Sequence, residues 1–304
     1  MSQFGEISHL LQRDAPLAKY TAARLGGPAE WFFRARDAED HARLNDIMLA
    51  AWADEVPVRV LGKGSNVLIS DQGVSGLIVV DQVAQMDYYS GEADTWKVQA
   101  TAGTGLIVLA RGCQQRGIAG MSWAVGVPGT VGGAIVNNAG AHGDDMAASQ
   151  PIVTVLEHGR GLVTFTPDTL EFAYRSSTFK HRDDKRFLVR DAILTLPGGD
   201  PLTIKAQMDE FNAYRVRTQP PGASLGSIFK NPPGDYAGRL IEASGLKGHT
   251  IGGVQVSPVH ANFIVNQGAG TASDYAALIR YVQQVVAQEQ GVQLELEIEL
   301  LGQW

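Results

Sequence analysis

The sequence contains one cysteine, Cys113, among its 304 residues. A single cysteine excludes an internal disulfide and any zinc site built on cysteine ligands. No hydrophobic run approaches the roughly 20 residues that a membrane-spanning helix needs. The first ten residues, MSQFGEISHL, have neither the basic start nor the apolar centre of a secretory signal. We therefore expect a cytoplasmic protein without a membrane partner.

Positive charge is also scarce, because 25 Lys and Arg against 32 Asp and Glu leave a net charge of -7. This balance argues against general nucleic-acid binding. The seven histidines form neither an HxxxH nor an HExxH pattern, so we expect no metal centre. A hydrophobic content of 44% is ordinary for a globular chain, and the length predicts two or more domains.

Glycine, by contrast, is concentrated in two loops. One is LGKGSNV at 61–67, and the other is GVPGTVGGAIVNNAG at 126–140, which contains no Lys or Arg. Glycine lets another group approach the main chain closely, so such loops can hold a phosphate by backbone N–H groups. Neither loop matches a P-loop or the Rossmann GxGxxG pattern. Either loop alone is typical of a tight turn, but together they predict a dinucleotide cofactor.

Strands and helices are mixed irregularly, which predicts an α+β fold without a strict βαβ rhythm. Capping residues mark the helix boundaries. The predicted caps are Asp37, Thr104 and either Ser273 or Asp274 at helix starts, and Gly291 at a helix end. Strands are predicted at 56–61, 67–69, 77–80, 153–156, 162–165 and 187–196. The alternation of apolar and polar residues over 292–300 predicts a closing strand, and PGGDP at 197–201 predicts a linker.

Three places carry side chains suited to chemistry. Arg175 could clamp a carboxylate or stabilise developing negative charge. Ser227 lies in a loop rich in Pro and Gly and could face a ligand, although it is not in a GxSxG elbow. Glu295, Glu297 and Glu299 share one face of the predicted closing strand. Local context alone favours structural or solvent-exposed roles, and periodicity does not choose among the three glutamates.

Seven short blocks occur in a specific order along nearly the whole chain. They are TAARLGGPA (21–29), LGKGSNVL (61–68), GVPGTVGGA (126–134), NAG (138–140), YRSS (174–177), GSIFKNP (226–232) and LELEI (294–298). Together these blocks resemble the UDP-N-acetylenolpyruvoylglucosamine reductase family, flavoenzymes of bacterial cell-wall precursor synthesis. The span between Ser177 and Phe187 is short, so the chain resembles the shorter, type II subclass, which lacks a segment with a substrate-covering tyrosine.

The resemblance implies an FAD-binding domain of the vanillyl-alcohol-oxidase (PCMH) type in two subdomains, 1–80 and 81–198. An α+β substrate-binding domain, 199–304, follows, and the 197–201 linker falls at that boundary. The implied cofactor is non-covalent FAD, with NADPH as co-substrate. The residues that the resemblance assigns to FAD are Leu61, Gly62, Lys63, Gly64, Ser65, Asn66, Val67, Gly126, Pro128, Gly129, Thr130, Gly132, Gly133, Ala134, Asn138 and Gly140.

The resemblance also implies a reaction. Hydride from reduced FAD adds to the terminal carbon of the enolpyruvyl group, and Ser227 donates a proton to the adjacent carbon, which gives UDP-N-acetylmuramate. Arg175 and Glu297 stabilise the enolate; the glutamate can help only as a hydrogen-bond donor, so we expect burial to raise its pKa. The residues assigned to the UDP diphosphate are Arg215, Arg217 and Asn231. The implied protein is a monomer that binds only small molecules.

Two alternatives stay open at this point. One is another flavin-dependent oxidase or dehydrogenase acting on an alcohol or a hydroxy acid, and only the blocks around Ser227 and Glu297 separate it from the reductase. The other is a non-catalytic nucleotide-binding protein that has kept the fold. Flavin absorbance would favour either enzyme over the binding protein.

Overall fold

The computed structural model describes residues 2–304. Its helices are α1 (Gln3–Ile7), α2 (Ala38–Ala53), α3 (Leu106–Gln115), α4 (Val131–Asn137), α5 (Pro167–Leu170), α6 (Thr178–His181), α7 (Pro201–Thr218), α8 (Ala237–Ala243) and α9 (Ala272–Gln290). Its first eight strands are β1 (Gln12–Pro16), β2 (Pro28–Ala35), β3 (Val58–Leu61), β4 (Val67–Ile69), β5 (Val74–Asp81), β6 (Met86–Ser90), β7 (Thr95–Thr101) and β8 (Gly140–Ala141). The others are β9 (Asp144–Asp145), β10 (Ile152–Glu157), β11 (Gly161–Phe165), β12 (Phe187–Pro197), β13 (Ala223–Ser227), β14 (Thr250–Ile251), β15 (Val254–Val256), β16 (Phe263–Asn266) and β17 (Glu299–Leu301). This mixture confirms the predicted α+β class.

The chain folds into two compact units. Unit 1 comprises the segment up to Gln12 together with Phe32–Lys63 and Leu77–Tyr214, and unit 2 comprises Arg13–Trp31, Gly64–Gly76 and Arg215–Trp304. The chain therefore passes between the units several times, and the first glycine loop crosses after Lys63. The predicted division into 1–80, 81–198 and 199–304 stays a prediction, because compactness does not show which segments fold independently.

A five-stranded antiparallel sheet forms the centre of unit 1, in the order β11-β10-β12-β7-β6. The predicted strands at 153–156 and 162–165 are confirmed as β10 and β11, which pair antiparallel in a hairpin. Helix α3 buries Leu106, Leu109 and Cys113 in the same core as this sheet. Burial raises the pKa of the Cys113 thiol to about 12, so the thiol stays protonated and behaves as a small apolar core residue.

Strand β3 leads the chain into the first glycine loop. It runs parallel to β5 in a four-stranded sheet with the order β1-β2-β5-β3. Helix α2 precedes β3 and buries Leu44 and Ile47. Asp37 caps this helix as predicted, because its carboxylate accepts a hydrogen bond from the N–H of Asp40 at 2.9 Å. Leu61 is the last residue of β3, so the loop begins where a supported strand ends.

Helix α3 does not begin at the predicted cap. Its N-cap residue is Gly105, which has no side chain to bond the first turn. The hydroxyl of Thr104 instead lies 3.0 Å from the hydroxyl of Thr101 and donates to the carbonyl of Gln85 at 3.3 Å. The prediction of Thr104 as the cap is therefore wrong, because its hydroxyl is bonded to segments that precede the helix.

Unit 2 is built on a four-stranded antiparallel sheet, β13-β16-β15-β14, whose apolar residues share a core with α8 and α9. Helix α9 begins with a capping box in which Thr271 accepts the N–H of Asp274 at 3.0 Å and Asp274 accepts the N–H of Thr271 at 3.0 Å. The prediction of Ser273 or Asp274 as the cap is wrong, because Thr271 is the residue with extended backbone before the helix. Gly291 ends the helix as predicted, with φ of 69°.

The predicted closing strand is much shorter in the structure. Only Glu299–Leu301 form a strand, β17, which runs parallel to β4. The preceding residues still alternate in part, since Leu294 and Ile298 are buried. The prediction of a continuous strand over 292–300 is wrong, because residues before β17 make single bonds, such as the bridge between Leu296 and Phe229, and no continuous ladder.

The predicted PGGDP linker joins β12 to α7. Gly198 donates its N–H to the carbonyl of Asp94 at 2.7 Å, and Gly199 donates to the carbonyl of Gly117 at 2.7 Å. The segment is thus hydrogen-bonded to unit 1, and its role as a domain boundary stays a prediction. Within residues 2–304, none of the helices combines the length and the apolar character needed to cross a bilayer.

Candidate functional site

The two glycine loops meet in unit 1. A Cβ atom on Gly62 would stand 2.3 Å from Oγ1 of Thr130, closer than packed atoms approach each other. Only glycine fits at position 62, and its backbone lies directly against the second loop. Lys63 follows on the surface, with its Nζ 3.1 Å from the position that a Cβ on Gly105 would occupy. The structure therefore brings the two predicted phosphate-binding loops together.

The second loop packs on the unit 1 sheet through one glycine and exposes another. Gly132 donates its N–H to the carbonyl of Ala102 at 2.9 Å, and a Cβ on Gly132 would stand 2.9 Å from the Cβ of Ala102. Gly133 is exposed, and among residues 2–304 only Thr130 lies near the position of its missing Cβ, at 3.6 Å. Packing does not require glycine at 133, so this bare backbone fits close approach by a diphosphate group.

The first loop continues into unit 2, where it joins the segment that carries Glu297. Gly64 has φ of 56°, and a Cβ there would stand 2.1 Å from the carbonyl oxygen of Tyr20. Nδ2 of Asn66 donates to the carbonyl of Glu297 at 3.3 Å, and the N–H of Glu299 donates to the carbonyl of Asn66 at 2.9 Å. The predicted cofactor residues divide accordingly. Unit 1 contains Leu61, Gly62, Lys63, Gly126, Pro128, Gly129, Thr130, Gly132, Gly133, Ala134, Asn138 and Gly140, and unit 2 contains Gly64, Ser65, Asn66 and Val67.

Arg175 lies in a tight turn beside the NAG block. The turn is closed by two hydrogen bonds between Ala173 and Ser176, of 3.1 and 3.0 Å. Arg175 has φ of 53°, a left-handed conformation that is uncommon for a long side chain and concentrates at functional sites. Its Nη2 donates to the carbonyl of Gly140 at 2.9 Å, and Nδ2 of Asn138 donates to the carbonyl of Ala173 at 3.0 Å. The YRSS and NAG blocks thus form one local structure.

Ser227 ends β13 and is followed by a firmly held segment. It is half-buried and comes directly after Gly226, which has φ of 75°. The N–H of Ile228 donates to the carbonyl of Asn262 at 2.9 Å. The side-chain amide of Asn262 accepts the N–H of Phe229 at 2.9 Å and donates to the carbonyl of Phe229 at 2.8 Å. Asn262 is buried, so these bonds fix the backbone just after Ser227.

The structure distinguishes the three glutamates that periodicity could not. Glu297 is half-buried, and its N–H donates to the carbonyl of Ile228 at 2.8 Å. The side chain of Glu295 is 74% exposed and pairs with Lys230 at 3.3 Å, and Glu299 is exposed. Only Glu297 is therefore sheltered, and its backbone is bonded to the residue that follows Ser227.

The three residues predicted to bind the UDP diphosphate all lie in unit 2. Arg215 is half-buried near the end of α7, and burial lowers the pKa of its guanidinium. Arg217 is exposed on the same helix. Asn231 is exposed, and its Oδ1 accepts the N–H of Ala237 at the start of α8 at 3.1 Å. Binding of an anionic ligand would offset the cost of burying this cation.

Sequence reasoning missed Asn262. It lies in PVHANF without a recognisable motif, and its partner Phe229 is 33 residues away, so no local signal marks it. The neighbouring His260 accepts the N–H of Asn262 through Nδ1 at 3.2 Å, and the ring of His142 stacks on Phe211 with the centroids 4.1 Å apart. Both contacts support structural roles for these histidines. Among residues 2–304, no group of three or more His, Cys, Asp or Glu is arranged to hold a metal ion.

Known proteins match this chain over both units. Residues 218–301 match the model of the UDP-N-acetylenolpyruvoylglucosamine reductase C-terminal domain, and residues 35–157 match that of an FAD binding domain. The UDP-N-acetylenolpyruvoylglucosamine reductase of Lactobacillus delbrueckii subsp. bulgaricus is 38% identical over 294 residues, which cover 96% of either chain. The chain belongs to the UDP-N-acetylenolpyruvoylglucosamine reductase family. A Synechococcus member is 42% identical over 300 residues, which are 96% of this chain and 94% of that relative.

A solved structure of this reductase family agrees with the fold. The crystal structure of UDP-N-acetylenolpyruvylglucosamine reductase from Thermus caldophilus superposes with a TM-score of 0.79 at 34% identity and covers 96% of this chain and 98% of its own. The predicted family and the FAD-binding fold are thereby confirmed, and the chain is an FAD-dependent oxidoreductase. Both glycine loops lie inside the matched FAD-binding region. The individual site residues stay predictions; Ser227, Asn231 and Glu297 lie inside the matched C-terminal region, and Arg175 lies between the two.

Proposed function

We propose that this protein reduces the enolpyruvyl group of UDP-N-acetylglucosamine enolpyruvate to UDP-N-acetylmuramate with NADPH, as a cytoplasmic monomer in peptidoglycan precursor synthesis. The observation that carries the proposal is the bond from the N–H of Glu297 to the carbonyl of Ile228, next to Ser227. The sequence blocks around Ser227 and Glu297 distinguish the reductase from other flavin enzymes of the same fold. The names of relatives that match the chain from end to end support the same reaction.

The glycine loops would hold the diphosphate of FAD, with exposed Gly133 backbone at the contact and Gly62 holding the loops together. When bound, FAD would supply to the terminal enolpyruvyl carbon a hydride that originates from NADPH. The substrate's double bond breaks as that hydride arrives, and its electron pair moves toward the carboxylate. In this proposal the guanidinium of Arg175 stabilises the negative charge that develops there.

Glu297 and Ser227 complete the addition in this proposal. Glu297 acts as a hydrogen-bond donor to the developing enolate, a role that requires its protonated form. The Oγ proton of Ser227 is transferred to the carbon next to the carboxylate, so that one hydride and one proton add across the double bond. A serine hydroxyl is a weak acid, so the fixed backbone from Ile228 to Phe229 has to position it well. Arg215, Arg217 and Asn231 bind the UDP diphosphate.

The test separates the two halves of the reaction. In anaerobic stopped-flow experiments, Ser227→Ala should leave NADPH-driven flavin reduction nearly intact and slow oxidation of the reduced flavin by the UDP-enolpyruvyl sugar by at least ~10²-fold. Glu297→Gln should impair the same step far more than its matched control Glu295→Gln. Unchanged turnover in Ser227→Ala would show that this serine is not the proton donor. The proposed substrate would be overturned if the UDP-sugar did not oxidise the reduced flavin of the wild type but a simple ketone or aldehyde did, since these are the products of hydroxy-acid and alcohol dehydrogenases.

A further inference from the structure

We propose that Asn138 is a positioning residue for Arg175, and that the NAG and YRSS blocks act as one structure in which this asparagine holds the arginine turn. The proposal rests on the proposed function, because it concerns the arginine that stabilises charge on the substrate. It differs from the expectation that Asn138 contacts the cofactor. The argument depends on its backbone conformation, on the partners of its side-chain amide, and on the attachment of Arg175.

The backbone of Asn138 is in a conformation that favours its residue type. Asn138 is the C-cap of α4, with φ of 42° and ψ of 58°, in the left-handed region. Asparagine and glycine adopt this region at low cost, whereas most other side chains are strained there. The residue is buried, so its amide must find partners inside the protein.

Every hydrogen atom of this amide has a protein partner. Nδ2 of Asn138 donates to Oδ2 of Asp145 at 3.0 Å and to the carbonyl of Ala173 at 3.0 Å. Oδ1 accepts the N–H of Ala147 at 3.0 Å. An asparagine amide has two N–H donors, and both are used here, so the side chain has no donor left for a ligand. The amide instead joins the end of α4 to two other segments of unit 1, residues 145–147 and the turn that begins at Ala173.

One of these segments is the arginine turn. Ala173 opens the turn whose closing bonds run to Ser176, and Arg175 lies inside it. The guanidinium of Arg175 also reaches back to the carbonyl of Gly140, two residues after Asn138. The NAG block (138–140) therefore bonds both the turn that contains Arg175 and the guanidinium of Arg175 itself.

Gly140 completes the attachment because it cannot move aside. A Cβ on Gly140 would stand 2.4 Å from the carbonyl oxygen of Asp144 and 2.6 Å from the Cβ of Asp145. The backbone that accepts the guanidinium bond is thus packed against the hairpin that contains Asp145, the other acceptor for Asn138. Removing the amide of Asn138 takes away the only one of these three bonds that reaches the turn, at Ala173, whereas the hairpin loses its bond to Asp145 but keeps the pairing of β8 with β9.

The test uses Asn138→Gly, which keeps the left-handed backbone and removes only the amide. Flavin content and NADPH-driven flavin reduction should stay within about twofold of the wild type. Oxidation of the reduced flavin by the UDP-enolpyruvyl sugar should slow by about 10–100-fold, because a misplacement near 1 Å has a cost of this size. Thr154→Val is the matched control, since it removes a side-chain hydrogen bond of 3.1 Å to Asp191 within the unit 1 sheet, away from both glycine loops and the arginine turn, and it should leave both steps unchanged.

A double-mutant cycle separates positioning from general damage. If Asn138 acts through Arg175, its substitution should matter little once the arginine is gone. In an Arg175→Lys background, Asn138→Gly should therefore slow oxidation of the reduced flavin by the UDP-sugar by a further factor below about two. The proposal would be overturned if the rate losses of the two single variants multiplied in the double variant. Equal slowing of both half-reactions in Asn138→Gly would also overturn it. Asn138→Asp is the second variant if the glycine variant does not fold, because it keeps the acceptor for Ala147 and loses the donor to Ala173.

A readout independent of turnover completes the test. The affinity of the oxidised enzyme for UDP-N-acetylmuramate should fall in Asn138→Gly but not in Thr154→Val, because Arg175 binds the carboxylate of that product in the proposed function. Unchanged affinity together with unchanged second-step rate would overturn the role of Asn138. A wild-type enzyme whose reduced flavin is not oxidised by the UDP-sugar would instead contradict the proposed function, so the two failures are distinguishable.

Discussion

Each of the two units holds its functional segment through one buried asparagine, but in different ways. Asn138 in unit 1 bonds two segments of the chain, residues 145–147 and the turn that begins at Ala173. Asn262 in unit 2 makes both of its side-chain bonds to a single residue, Phe229. Asn138 therefore connects separate segments, whereas the side chain of Asn262 takes the place of a backbone partner for Phe229 just after β13.

The difference predicts different consequences when each amide is lost. In unit 1 the neighbouring turn keeps its own two closing bonds, so it can survive in a shifted position. In unit 2 the backbone N–H and carbonyl of Phe229 are buried and lose both partners at once. A buried unpaired polar group costs much more than a moved surface turn. Loss of Asn138 should therefore affect placement, and loss of Asn262 should affect stability.

Asn262→Ala is expected to have the largest effect on folding. It leaves two buried backbone groups of Phe229 without partners, at about 1–3 kcal/mol each. Denaturant unfolding should show this loss in the free energy of unfolding, while Asn138→Gly and the control Thr154→Val lose less. Equal stability of Asn262→Ala and Asn138→Gly would contradict the contrast between the two units.

Two glycines provide the second test, because they exclude a side chain for different reasons. At position 62 a Cβ would collide with Thr130, and at position 226 the backbone has a positive φ. Gly62→Ala forces its Cβ against Thr130, and such overpacking costs about 1–3 kcal/mol and should separate the two loops. We expect the purified variant to hold little FAD, measured by flavin absorbance. Gly133→Ala is the matched control for folding, since a Cβ there meets only ordinary contact, at 3.6 Å from Thr130. A Gly62→Ala protein with normal flavin content would show that the loops are not held by this contact.

The sequence predicted what depends on neighbouring residues. Both glycine loops, the cap at Asp37 and the stop at Gly291 follow from local composition and periodicity. The family and its FAD-binding fold followed from the order of seven blocks, although no single block was specific. Local patterns of this kind predict structure well, because the hydrogen-bond partners and backbone conformations they require lie within a few residues.

What the sequence did not predict depends on distant partners. Thr104 resembles a cap, but bonds to Thr101 and Gln85 occupy its hydroxyl. The equal spacing of three glutamates gave no reason to prefer Glu297, whose shelter comes from the folded chain around it. Asn262 carried no signal at all, since its role exists only when Phe229 lies opposite it. Pairings across such separations are fixed by tertiary structure and not by propensity.

Gly226→Ala should have the smallest effect, and it sharpens the contrast with Gly62. The residue has φ of 75°, and among residues 2–304 no atom lies within 4 Å of the position of its Cβ. The cost is therefore the left-handed conformation alone, about 1 kcal/mol in the free energy of unfolding, without a steric clash. Gly226→Asn should recover most of it, because asparagine tolerates this region, whereas no such rescue is expected for Gly62→Asn. The measurement is denaturant unfolding of the four variants, and a Gly226→Asn protein no more stable than Gly226→Ala would mean that a property other than backbone conformation requires glycine before Ser227.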